Sequence, residues 1–109
     1  MSAYIVAEIQ ITDPVAYQAH APIALATVAR FGGRIIAGGS KIELLDGGPM
    51  PNRIVVIEFP DAETARRWYR SDDYQAALKV RLSTSQGRVF LIEGAEPSLR
   101  PAWPRSGAG

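Results

Sequence analysis

Residues 3–11, AYIVAEIQI, alternate along the chain. Ile5, Ala7, Ile9 and Ile11 fall on one side, and Tyr4, Val6, Glu8 and Gln10 on the other. A period of two predicts a strand with one wholly apolar face. The period then changes. Tyr17, Ala21, Leu25, Val28 and Phe31 recur at helical spacing, with Asp13 placed to cap the helix and Pro14 suited to its first turn. Pro22 lacks an amide proton and predicts a kink, and Gly32-Gly33 predicts the stop. RIIAGGSKIELL reads as a long second strand bent by a bulge at Gly38-Gly39, and DGGPMPN as a turn. RIVVIEF is a third strand, with Val55, Ile57 and Phe59 on one face and Ile54, Val56 and Glu58 on the other. PDAETARRWYRSDDYQAALKVRL predicts two helical pieces, capped by Asp61 and Ser71, with Ala65, Trp68, Tyr69 and Tyr74 turned inward. STSQG reads as a loop, and RVFLIEG as a fourth strand.

The order β-α-β-β-α-β, with two right-handed crossovers joined by a hairpin, predicts an α+β ferredoxin-like sandwich. Its antiparallel sheet has the order 4-1-3-2, with helices on one face. The other face carries Tyr4, Val6, Glu8, Gln10, Ile54, Val56 and Glu58, together with Val89, Leu91 and Glu93 from the fourth strand. It is too apolar for water and too polar for a plain core, which calls for a ligand or a partner. A second copy packed face to face would close a dimeric α/β barrel around a semi-polar pocket, so a homodimer is expected. Glu8 lies late in strand 1, while Glu58 and Glu93 lie late in strands 3 and 4. Antiparallel pairing therefore puts Glu8 at one end of the sheet and the other two near Tyr4. Strands 3 and 4 flank strand 1 about 10 Å apart, so these carboxylates form no dyad within one subunit.

The two glycine pairs of FGGRIIAGGSK raise a nucleotide reading that spacing and order remove. There is no G-x-G-x-x-G, Gly39 stands where a phosphate loop needs lysine, and the stretch leaves a helix to enter a strand. Composition narrows the rest. The chain has 109 residues, which favours one domain, and no cysteine, which excludes disulfides, thiolate metal sites and a cysteine nucleophile. Net charge is +1 without a basic block, so no nucleic-acid partner is expected. No run has the length of a membrane span and no signal peptide is visible, so the expected location is the cytoplasm. Residues 1–95 read as the domain and 96–109 as a proline- and glycine-rich tail, with Trp103 between two prolines.

Chemistry rests on few side chains. His20 is the only histidine. It suits a general base or a single axial haem ligand, or it is a partly exposed helix residue filling space. Glu58 interrupts an apolar strand. Burial would raise its pKa and suit it to proton transfer, or an ion pair with Arg53 or Arg81 would hold it in place. Glu8 has the same two readings. Tyr17 is a core residue whose hydroxyl could reach a pocket at the sheet edge.

The segments DPVAYQAH, FGGRIIAGG, RIVVIEFP, WYRSDDYQAALKVR and VFLIEG, in that order over about residues 2–95, resemble the domain-of-unknown-function family 1330 of the dimeric α/β-barrel superfamily. The resemblance implies a homodimer around a pocket and no particular reaction. It also implies an arginine before the second glycine pair, where this chain has Ala37. Arg81 matches the family's arginine at the end of the last helix, placed to bind a carboxylate or to cap that helix. Three functions follow as expectations. The first is a cofactor-free enzyme of proton transfer, isomerisation or oxygenation. In it Glu58 or His20 moves the proton and Tyr4, Tyr17 or Arg53 orients substrate. The second is a non-catalytic small-molecule-binding or accessory module, and the third a haem-binding barrel. The first two need no cofactor and no metal.

Overall fold

A computed structural model of the protein describes residues 1–99. The tail around Trp103 lies outside the described residues. The elements are β1 (Ala3–Ile11), α1 (Pro14–Arg30), β2 (Arg34–Gly39), β3 (Arg53–Phe59), α2 (Ala62–Arg70), α3 (Asp72–Thr84) and β4 (Ser85–Glu93). The strands form one sheet in the order β2-β3-β1-β4, with every neighbouring pair antiparallel. This is the expected ferredoxin-like arrangement.

The helix starts follow the cap chemistry. Asp13 accepts from the Ala16 amide at 3.3 Å, Asp61 from the Thr64 amide at 2.7 Å, and the Ser71 hydroxyl from the Tyr74 amide at 3.2 Å. Each satisfies an amide that the first turn leaves without a helical acceptor. Gly32, at φ +74°, ends α1 as expected. Pro22 lies inside α1, which continues past it to Arg30.

One sheet face packs under the helices. Ile5, Ile57 and Phe59 meet Val28, Ala65, Trp68 and Tyr74 in a core cluster, while Ala7 and Ile9 meet Tyr17 in a second. Ring centroids of Trp68 and Tyr74 are 4.1 Å apart, and those of Phe59 and Trp68 5.3 Å. Burying one such side chain contributes about 1.5–3 kcal/mol, so this aromatic group anchors α2 and α3 to the sheet. Leu25, expected inside, is 48% exposed. The inward position is taken by Thr27, whose hydroxyl accepts from Trp68 Nε1 at 3.0 Å and donates to the Ala24 carbonyl at 2.7 Å. A small polar residue serves there because the indole N–H must find an acceptor when buried.

Four expectations are corrected. β2 ends at Gly39, and residues 41–45 are not strand. The irregularity in β2–β3 pairing falls between Ile35 and Ala37, not at the glycine pair. Gly38 is instead a close approach, because a Cβ there would sit 3.0 Å from the Ile54 carbonyl oxygen. STSQG is not a loop: α3 runs to Thr84 and β4 begins at Ser85. The faces of β4 are also exchanged relative to expectation. Val89, Leu91 and Glu93 pair with Ala7, Ile5 and Ala3 and so share the helix-side face, whereas Arg88, Phe90 and Ile92 pair with Glu8, Val6 and Tyr4 on the outer face. Four successive apolar residues, Val89 to Ile92, carry no period-two signal, so pairing alone decides which side each faces.

Candidate active site

The residues expected to share one pocket divide between the two faces of the sheet. On the outer face, Tyr4 pairs directly with Glu58, and its hydroxyl donates to Glu58 Oε2 at 3.5 Å. Arg34, opposite Glu58 in β2, donates through Nε to Oε1 at 2.8 Å. At the other end of the same face, Arg88 Nε donates to Glu8 Oε1 at 3.0 Å. Glu8 and Glu58 thus lie at opposite ends, as the antiparallel argument required, while Glu93 leaves this face. Glu58 is not the raised-pKa acid that burial would have made. The Arg34 guanidinium holds its carboxyl below the usual carboxylate range, with Tyr4 adding to the effect. Its ion-pair partner is neither Arg53 nor Arg81. Register was the signal that could have named Arg34, since it lies directly across from Glu58. Ala37 pairs with Val56 and is exposed on this same face, so the departure from the family pattern lies away from the helix-side cavity.

Under the helices lies a cavity of about 320 Å³, within the range used by small organic ligands. The apolar face of β1 and β3 makes its floor, and α1 and α3 bring polar groups to its wall. His20 comes from α1 and is 6% exposed, so it is buried and not partly exposed as expected. Its ring meets Tyr17 edge-on at 6.4 Å between centroids. Arg53, at the start of β3, holds its guanidinium carbon 5.8 Å from the Tyr17 ring centroid. Arg81, in the last turn of α3, also lines the cavity. The Nε atoms of Arg53 and Arg81 are both buried without a hydrogen-bond partner among the described residues. Trp68 and Tyr74, expected as core, are core and cavity wall at once.

The electrostatics follow from this composition. Burial pushes the His20 pKa below 6.5, and the nearby Arg81 charge pushes it further the same way. The imidazole is therefore neutral at pH 7 and keeps a lone pair for a proton. Burial raises the Tyr74 pKa, with Arg81 opposing, so Tyr74 stays a phenol that can donate. No carboxylate lies among the described residues of the lining. A neutral base beside two guanidiniums can take a proton from a bound molecule and stabilise the anion left behind.

Fold and sheet topology together define an α+β protein of the ferredoxin-like class. The chain belongs to the family described as domain of unknown function DUF1330, whose model matches residues 2–95. Among solved structures it is similar to a protein of unknown function from Rhodopseudomonas palustris. That pair is 16% identical, with a TM-score of 0.74 over 88% of this chain and 84% of that one. It is also similar to SnoaB, a cofactor-independent oxygenase from Streptomyces nogalater, at 16% identity and a TM-score of 0.62 over 87% and 94%. An antibiotic biosynthesis monooxygenase matches at 17% identity and a TM-score of 0.51 over 88% and 100%. At these identities the likeness is one of fold. No curated protein is significantly similar in sequence. Among the described residues no helix is long and apolar enough to cross a membrane.

Proposed function

We propose that the cavity under α1 and α3 is a small-molecule site in which His20 is the base of a cofactor-free proton transfer. The observation that carries this reading is a buried, neutral imidazole in the cavity wall beside two guanidiniums that have no acidic partner among the described residues. His20 Nδ1 or Nε2 takes a proton from a carbon next to a carbonyl. The electron pair of that C–H bond moves onto the carbonyl oxygen, where Arg53 or Arg81 meets the new charge. Return of the proton to a different carbon completes an isomerisation. The likeness to a cofactor-independent oxygenase supports a second fate for the same anion. Dioxygen accepts the electron pair, a C–O bond forms, and the resulting peroxide takes the proton from His20. Glu58, on the opposite sheet face, takes no part. The homodimer belongs to the same reading: its support is the outer face, where Phe90 and Ile92 are 43% and 57% exposed.

The test is deuterium exchange at the acidic carbon of arylpyruvates and 3-oxo acids in D₂O, followed by NMR, with an oxygen electrode alongside. The wild-type protein is expected to accelerate exchange or oxygen uptake, and His20→Gln to slow it about 100-fold. Glu58→Gln is expected to keep the full rate. A folded His20→Gln variant with an undiminished rate overturns the mechanism. Binding without turnover would leave a carrier or accessory module.

A further inference from the structure

We infer that the cavity selects an organic anion, a carboxylate on a flat apolar body, with Arg53 and Arg81 meeting the charge and the sheet floor meeting the body. This rests on the cavity being the ligand site proposed above, and it adds the chemical class that the site takes.

Two kinds of arginine stand apart. Arg30, Arg34, Arg66 and Arg88 pair with Asp73, Glu58, Glu63 and Glu8 at the surface. Water already solvates those side chains, so their acids are not essential to them. Arg53 and Arg81 have the opposite arrangement. Among the described residues, each has a buried Nε–H with no acceptor, each lines the cavity, and the lining holds no carboxylate to serve them. A buried donor left unsatisfied costs stability in the empty protein, and an acceptor arriving from outside recovers that cost. The acceptor that fits a guanidinium fork is a planar pair of oxygens bearing charge, which is a carboxylate. Arg53 is placed for this over the Tyr17 ring, its guanidinium carbon 5.8 Å from the ring centroid, where the ring face favours the cation without supplying the oxygen acceptor its N–H groups need.

The remaining surface specifies the body. Away from the polar cluster, Ile5, Val55, Ile57, Val28 and Trp68 leave hydrocarbon and an aromatic ring to contact, with no further charge. Such a surface favours an aromatic or conjugated skeleton over a sugar or a polyol. Anion and proton transfer are also consistent with each other. A carboxylate held by the guanidiniums brings its neighbouring carbons toward the His20 end of the cavity.

The probe pair is 2-naphthoate and 2-naphthamide, equal in shape and different in charge, titrated calorimetrically into the full chain at low salt. The naphthoate is expected to bind at least ten times more tightly. Arg53→Gln and Arg81→Gln are expected to reduce that preference to near unity, while Arg34→Gln, on the outer face, leaves it intact. Equal affinity for the two ligands, tighter binding of the amide, or no binding of either at millimolar concentration overturns the inference. So does an unchanged preference in both cavity variants with native circular dichroism. Because the two ligands are compared on the wild-type protein, a variant that fails to fold leaves the test standing. Naphthoate preference without any exchange activity would uphold the anion class and remove the proton-transfer reading. Exchange on a neutral carbon acid without the preference would do the reverse.

Discussion

His20 is the chain's only histidine, so its ring protons give one clean titration curve. Burial and Arg81 both depress its pKa, in that order. The midpoint in the folded protein, read by NMR, is therefore expected below 6.5. Arg81→Gln should raise it part of the way back, since burial remains. Linkage fixes the sign for stability. The unfolded chain takes up this proton near pH 6.5 and the folded chain only at lower pH. The contribution of neutral His20 is thus complete above pH 6.5 and is lost as pH falls through the folded value. Denaturant midpoints should show a loss over that window that His20→Gln removes. A folded-state midpoint at or above 6.5 would mean the ring is not held neutral. The role of this residue was half legible. Its place on α1 follows from helical period, but its burial depends on α3 crossing beside it, and Arg81 lies 61 positions away along the chain.

At the level of elements, Gly87 controls how β4 meets β1. It pairs with Ile9, and a Cβ built on it would overlap the Glu8 carbonyl oxygen and sit 3.0 Å from Ile9 Cα. Both obstacles are backbone, so neither can rotate aside. Gly87→Ala is expected to cost about 1–3 kcal/mol in chemical denaturation and to speed amide exchange through β4. An unchanged midpoint would show that the strands separate freely there. The chain announces its elements plainly where local rules suffice: alternation in β1, the caps at Asp13, Asp61 and Ser71, and the glycine stop of α1. It is silent where an element's face is chosen by its neighbour. Val89 to Ile92 would suit either side of the sheet, and Leu25 and Thr27 exchange the inside position because a distant indole needs an acceptor. The site has the same character. Tyr17, His20, Arg53 and Arg81 come from three elements that only the fold brings together, and Glu58, conspicuous as a charge in an apolar strand, is held by Arg34 across the register.

For the whole molecule, the outer sheet face is the surface on which the proposed homodimer rests. Val6 stands in the central strand with Val56 on one side and Phe90 on the other, making an apolar strip between the Tyr4–Glu58–Arg34 and Glu8–Arg88 groups. In the proposed homodimer two such strips meet, and the polar groups form the rim. Light scattering is expected to give about twice the 11.8 kDa chain mass, and Val6→Asp, which buries an unpaired charge at that meeting point, to give a folded monomer. A wild-type monomer at micromolar concentration would undo the barrel.

The junction of α3 and β4 has a bearing on how such a chain can change over time. The Thr84 carbonyl, the last of the helix, accepts from the Thr12 amide, the Asp13 amide and the Thr12 hydroxyl, and the next residue is already strand. No slack exists between them. One added residue there would turn β4 over, driving Phe90 and Ile92 beneath the helices and Val89 and Leu91 out. Residues 40–52, by contrast, join two strands through a stretch without helix or strand, where extra length costs little. Relatives should therefore vary freely in the number of residues at one connection and hold that number constant at the other, whatever becomes of the letters.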